Sequence, residues 1–220
     1  ERLYGIRPGL LPNGVDADFF KKISEDEIYN IRSRYRLQGD LILFMGMYDY
    51  LPNKEAIDFL VQQVMPVILK HNPEARLVVL GGITPYKRPW LIQPGKISHK
   101  DLTAFVKACD IGVAPIFSGS GTRLKILEYM AAGLPVVATT KGAEGLDLIN
   151  KKYIMLADEG KTFSEAVLHL LKNQTMAQKL GIKGHQKVRQ NYAWPALMHE
   201  FSIHMTNTKQ QEMHILISKS

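Results

Sequence analysis

Ser118-Gly119-Ser120-Gly121-Thr122-Arg123-Leu124-Lys125-Ile126-Leu127-Glu128-Tyr129-Met130-Ala131-Ala132-Gly133-Leu134-Pro135-Val136-Val137-Ala138-Thr139 is the stretch whose reading decides the fold. It reads as the end of a strand, a glycine loop, a helix over Thr122 to Ala132, a glycine stop and a further strand. Glycines at the head of a helix open the backbone where free N–H groups and the helix dipole favour an anion. Arg123, Lys125 and Glu128 follow within two turns. Helical spacing puts Leu124, Leu127 and Ala131 on a packing face, with Lys125 and Glu128 beside it. A Gly-x-Gly before a helix can be a tight turn and nothing more. Two cations at a helix N-terminus oppose the dipole, however, and a bound anion would offset that local cost.

Working outward, strand and helix patterns alternate. Short apolar runs predict strands at Leu41 to Gly46, Ala75 to Gly82, Trp90 to Gln93, Asp110 to Pro115, Pro135 to Thr139 and Tyr153 to Leu156. Ser24-Glu25-Asp26-Glu27 has the form of a capping box and predicts a helix to about Tyr35. Ala56, Phe59, Leu60, Val64, Val67 and Ile68 recur at helical spacing, and His71-Asn72-Pro73 ends that helix near Lys70. Ser98 caps a helix over Lys100 to Ala108, and three helices close the chain over Gly160 to Leu171, Thr175 to Asn191 and Trp194 to Met205. Alternation of this kind calls for an α/β fold: a doubly wound, mainly parallel sheet of about six strands with helices on both faces. Ligands bind such sheets beyond the carboxyl ends of the strands, where strand order reverses. Gly46, Gly81-Gly82 and Ser118 to Gly121 all fall at that edge.

Composition sets outer bounds. The chain has 220 residues, 45% of them hydrophobic, and a formal net charge of +7. A sizeable core is available and global disorder is excluded. The single cysteine, Cys109, rules out a disulfide framework and a cysteine zinc cluster, and fits a reducing, cytoplasmic compartment. No apolar run has the length that spans a bilayer. The chain opens on Glu1-Arg2-Leu3-Tyr4, with neither a methionine nor a signal-peptide pattern, and reads as a piece of a longer protein. Its cations are scattered rather than interleaved with aromatics, which argues against nucleic acid. They suit a phosphorylated substrate or anionic lipid headgroups. No histidine pair has metal-ligand spacing, so no metal site is expected.

Glycines 119 and 121 with Arg123-Leu124-Lys125-Ile126-Leu127-Glu128 and Ala131-Ala132-Gly133-Leu134-Pro135, then Gly142-Ala143-Glu144-Gly145-Leu146, resemble the donor-site signature of the family 4 glycosyltransferases. These are retaining enzymes of the GT-B fold. The likeness extends through Pro12-Asn13-Gly14-Val15-Asp16, Phe44-Met45-Gly46-Met47, Ala108-Cys109-Asp110 and Asn191-Tyr192-Ala193-Trp194. It implies three regions: residues 1–22 as the remnant of an interdomain link, 23–205 as a nucleotide-sugar-binding Rossmann-like domain, and 206–220 as a tail. It implies transfer of a hexosyl group from a UDP- or GDP-linked sugar to a glycan or lipid acceptor, as in polysaccharide biosynthesis, with no cofactor. An N-terminal acceptor domain of the same chain would be the partner. Peripheral contact with the inner membrane face is compatible with lipid-linked acceptors.

The resemblance assigns donor binding to Gly46, Ile97, Gly119, Ser120, Gly121, Thr122, Arg123, Lys125 and Glu128. Glu128 matches the glutamate that holds the nucleotide ribose; read from spacing alone, it could equally pair with Lys125 on the surface. The base would lie against Lys96-Ile97-Ser98. Two departures stand out. Ser120 replaces the first glutamate of the family's E-x7-E motif. Met47 replaces the first of a basic pair that neutralises the diphosphate, and the second falls near Asn53 or Lys54. Arg123 and Lys125 are therefore expected to take over that charge, unless both are solvated helix residues. A non-catalytic GT-B-like binding or assembly module is the alternative.

Overall fold

The computed structural model describes residues 12–20, 23–121, 123–203 and 205. Six strands form one sheet: β1 (Leu41–Met45), β2 (Arg76–Leu80), β3 (Leu91–Ile92), β4 (Ile111–Ala114), β5 (Val136–Ala138) and β6 (Met155–Leu156). Their order is β3-β2-β1-β4-β5-β6, and every pairing is parallel. Strand order reverses between β1 and β4, so the sheet is doubly wound as the alternation demanded.

Successive residues of β1 point to opposite faces, and each face has its own core. Leu41 and Leu43 join Val78 and Leu80 under α1 (Glu25–Arg34), α4 (His99–Ala108), α5 (Leu124–Ala131) and α7 (Gln174–Asn191). Ile42 and Phe44 join Leu77 and Val79 under α2 (Leu51–Phe59), α3 (Met65–His71) and α6 (Gly160–Lys172). The apolar runs lack period-two alternation because both faces are covered.

The capping box at α1 is formed: the Ser24 hydroxyl accepts from Glu27 N–H, and the Glu27 carboxylate accepts from Ser24 N–H. Between α2 and α3 the helix widens into a π turn at Leu60–Val64, just ahead of Pro66. A proline inside a helix removes an N–H and crowds the preceding turn, and the wider turn accommodates it. Ser164 of α6 donates to the Val64 carbonyl at 3.3 Å and to Gly160 O at 2.6 Å.

Residues 12–20 are docked on this domain. Val15 N–H donates to Tyr192 O at 2.8 Å, Trp194 N–H donates back to Val15 O, and Phe20 is buried. Trp194 opens a last helical stretch, 194–203, with one ring face against Gly14. It is 47% exposed, so it anchors less completely than its size suggested. Residues 206–220, read from sequence as a tail, lie outside the described residues, as do most of 1–22.

Candidate functional site

At the carboxyl edge of the sheet, beside the switch point, a cleft of about 740 Å³ opens. Its floor is Met45, Gly46 and Met47 after β1 and Leu80-Gly81-Gly82 after β2. Lys96, Ile97, Ser98 and His99 form one wall, at the head of α4; Asn53 and Glu128 form the opposite one. The two floor segments touch: Gly46 N–H donates to Leu80 O at 2.7 Å, and a Cβ on Gly46 would stand 2.6 Å from the Asn53 amide. Glycine is required there by that close approach. Tyr129, wholly buried beneath, accepts the Met45 N–H on its hydroxyl at 2.7 Å and fixes the end of β1.

Gly46, Ile97 and Glu128 thus reach the cleft directly. Met45 and Met47 also line it. Gly119, Ser120, Gly121, Arg123 and Lys125 are not on the lining: Lys125 stands behind the Asn53 wall, Arg123 is buried and the three loop residues are exposed, while Thr122 lies outside the described residues. Gly119 (φ +82) and Gly121 (φ +89) both take the left-handed conformation that favours glycine. That bend lays Gly119 against Pro52 and Tyr50 of the first loop. Ser118, just before it, donates from its hydroxyl to Glu55 of α2.

The helix after the loop is shorter than its sequence pattern suggested. It starts at Leu124, because Arg123 leaves helical geometry (φ −84, ψ 82) to close the loop. Its first turn has neither a side-chain cap nor an acidic residue. Leu124 is 44% exposed, contrary to its expected place on the packing face, while Ile126, Leu127, Tyr129 and Met130 are fully buried. As the first helical residue at the sheet edge, Leu124 lies beyond the core that covers the later turns.

Arg123 is buried and Lys125 half-buried, so neither is a freely solvated helix residue. Arg123 donates from Nη2 to Ser118 O at 2.9 Å and from Nη1 to Ser120 O at 3.1 Å, so the guanidinium ties the glycine loop together. Its buried Nε has no hydrogen-bond partner. Lys125 sends Nζ to Asn53 Oδ1 at 2.7 Å and lies 4.0 Å from the Phe44 ring centroid, a cation–π contact. Burial, and then Arg123, push the Lys125 ammonium down to about 7, with Glu128 acting the other way. Burial raises the Glu128 carboxyl, with Lys125 opposing. Lys125 and Glu128 form no ion pair among the described residues. The site therefore places the Arg123 charge and a titratable ammonium beside an uncapped helix N-terminus, one turn from a partly desolvated carboxyl.

Asn53 is the residue that sequence reasoning undervalued. It was located only as the position near which a second basic residue might stand. In the fold its Nδ2 donates to Met47 O at 3.1 Å, its Oδ1 holds Lys125, and its side chain faces the cleft. Lys54, the other candidate, turns to Asp58 at 3.1 Å instead. Only the side-chain direction on α2 distinguishes them. Among the described residues no group of three or more histidine, cysteine or acidic side chains could hold a metal ion, and no helix is long and apolar enough to cross a membrane.

A parallel sheet of this order, with its cleft at the switch point, is the Rossmann-like α/β arrangement of one half of a GT-B fold. The chain belongs to the group 1 glycosyl transferases: that family's profile matches residues 39–173, more than half its length. It is 24% identical over 198 residues to the phosphatidyl-myo-inositol mannosyltransferase of Mycobacterium leprae, covering 84% of this chain and 49% of that protein. It is 23% identical over 171 residues to an uncharacterized 44.6 kDa protein in the cps region of Klebsiella pneumoniae, covering 72% and 44%. The chain thus spans about half the length of the curated relatives it matches.

Solved structures give the same fold. The C-terminal domain of the group 1 glycosyl transferase LpcC from Francisella tularensis superposes with a TM-score of 0.66 at 21% identity, over 82% of this chain and 100% of that one. Anabaena HepE in complex with UDP and glucose superposes with a TM-score of 0.73 at 13% identity, over 90% and 56%. At such identities the likeness concerns fold alone.

Proposed function

We propose that this chain is the donor-binding domain of a retaining family 4 glycosyltransferase. The enzyme moves a hexosyl group from a nucleotide-diphosphate sugar to a glycan or lipid acceptor, whose site lies mainly on a preceding domain. One observation carries the reading: a buried guanidinium with an unpartnered Nε and a half-buried ammonium held only by a neutral amide oxygen stand at the uncapped N-terminus of α5 behind the switch-point cleft. Buried charge of one sign is costly unless compensated, and a diphosphate compensates it. The complex of Anabaena HepE with UDP and glucose supports the choice of a nucleotide-sugar ligand.

In this reading Glu128 accepts from the ribose diol, Lys96 to Ser98 frame the base, and Gly46 lets the ligand approach the β1 end. Arg123 keeps the glycine loop in its bent form and Lys125 supplies charge through the Asn53 wall. Catalysis from this half is electrostatic: fixed donors and charge aimed at the departing diphosphate. No group here needs to act as general base. The carboxylate nearest the glycine loop is Glu55, hydrogen-bonded to Ser118, whereas position 120 is serine. Ser120 and the uncharged Met47 favour the second reading, a GT-B-like module that binds a nucleotide sugar without turning it over.

A panel of UDP- and GDP-linked hexoses, tested for thermal stabilisation and for donor hydrolysis by the whole protein, separates these. Stabilisation with hydrolysis supports the enzyme, and stabilisation without hydrolysis supports the module. No stabilisation by any member removes both.

A further inference from the structure

Lys125 and Asn53 form a contact whose chemistry goes beyond holding two elements together. Lys125 lies on the first turn of α5 and Asn53 on the first turn of α2, the two helices that start on either side of the switch point. The Met47 carbonyl can only accept, so the Asn53 amide must turn Nδ2 towards it and Oδ1 towards Lys125. Asn53 is itself nine-tenths buried, wedged against Gly46, and so cannot swing away. Lys125 is thereby fixed by a neutral acceptor in a place where a carboxylate would have formed a stable ion pair. The groups around it are few. β1 offers the Phe44 ring, α2 the Asn53 amide, and α5 the Arg123 guanidinium, which disfavours a second positive charge, and Glu128, which favours it.

We propose that Asn53 is a positioning residue that holds Lys125 incompletely compensated just behind the cleft wall, so that binding of a nucleotide sugar's diphosphate is coupled to proton uptake by Lys125. The inference rests on the proposed donor site and adds the linkage to it. A neutral partner is essential. It orients Nζ without satisfying its charge, and leaves the diphosphate's field to favour the ammonium across the Asn53 side chain. Burial beside Arg123 brings the free ammonium to about 7, within reach of ordinary working pH. The sign follows directly. A nearby diphosphate favours the protonated form and raises its pKa on binding. Affinity is therefore full below the free value and falls as pH rises above it, by roughly tenfold for each pH unit until the bound group also loses its proton.

The test is calorimetry of the purified protein with a UDP- or GDP-linked hexose at about pH 6.5 and about pH 8.5, in buffers of differing ionisation enthalpy. A nucleotide sugar is the right probe because its diphosphate diester, unlike a free terminal phosphate, does not titrate in this range. Affinity at least about tenfold lower at the higher pH, with net proton uptake, is expected. Asn53→Asp should flatten the profile and weaken binding at the lower pH, because the new carboxylate keeps Lys125 charged and competes with the diphosphate. Lys125→Met flattens the profile by removing the group, and decides the matter if the aspartate variant does not fold. Binding that is independent of pH, or a profile unchanged in both variants, overturns the linkage and leaves the donor site standing. Absence of binding to any nucleotide sugar at either pH overturns both.

Discussion

Arg123 has both terminal nitrogens on carbonyls of its own loop, so its removal acts on the site twice. Arg123→Ala deletes a positive charge and releases Ser118 and Ser120. Hydrogen bonds from charged donors contribute about 1.5–3 kcal/mol each, so nucleotide-sugar affinity should fall at least about tenfold. Arg123→Lys should recover little of it, since one ammonium cannot span two carbonyls as a planar guanidinium does. Titration calorimetry of both variants checks this, and an unchanged dissociation constant for Arg123→Ala would sink the charge role. Tyr129 offers a separate stability test. Phenylalanine there keeps the ring volume but strands the buried Met45 N–H, which costs about 1–3 kcal/mol. The urea midpoint should shift accordingly; a midpoint equal to that of the parent would mean another group or water takes the N–H.

At the scale of elements, α5 joins the site to the core: Glu128 lines the cleft and the helix packs against α7. Gly181 of α7 packs directly on the loop after α5, where a Cβ would come within 2.2 Å of the Gly133 carbonyl oxygen. Backbone stands on both sides of that contact, so no side chain can move aside. Gly181→Ala should lower stability by about 1–3 kcal/mol through overpacking, more than offsetting alanine's better helix propensity. It should also weaken ligand binding, because α5 can relieve the contact only by shifting along the sheet. Denaturation together with calorimetry would reveal both effects. A variant as stable as the parent would show that α7 moves freely, and would contradict the packing described. The long helix before β2 teaches a related lesson. Its apolar spacing located it correctly, yet its π turn ahead of Pro66 was not foreseen. The wider turn accommodates Pro66, a signal that apolar spacing does not carry.

For the whole molecule, the sheet joins two apolar layers and leaves a cleft at the carboxyl edge. A nucleotide sugar that binds only the folded state raises the apparent melting temperature by mass action, corresponding to about 2.7 kcal/mol at a hundredfold excess over its dissociation constant. Under the proposed function, this chain alone should show such a shift without transferring sugar, because the acceptor site lies elsewhere. Robust transfer by the isolated chain would refute that division of labour. The scattered positive charge should make ligand association weaker at high salt, as for any exposed field.

The path of the chain was legible in the sequence because it rests on local and periodic signals. Buried strands read as unbroken apolar runs, Ser24 and Ser98 announced their helices by capping chemistry, and the glycines at 119 and 121 marked a left-handed bend at the head of α5. Those same signals located the cleft edge, since every loop after a strand's carboxyl end must meet there. What the sequence could not supply was side-chain direction and dehydration. Whether Asn53 or Lys54 faces the cleft, whether Leu124 is covered, and whether Arg123 and Lys125 are solvated or buried all depend on which element lies opposite. That is set by packing between residues far apart in the chain, 72 positions in the case of Lys125 and Asn53. The sequence by itself determined a doubly wound sheet with a glycine loop and two cations at one edge. The tertiary structure alone decided that Arg123 is buried and that Lys125 is half-buried on a neutral oxygen, because desolvation and the Asn53 contact exist only once α2 and α5 are brought together across the switch point.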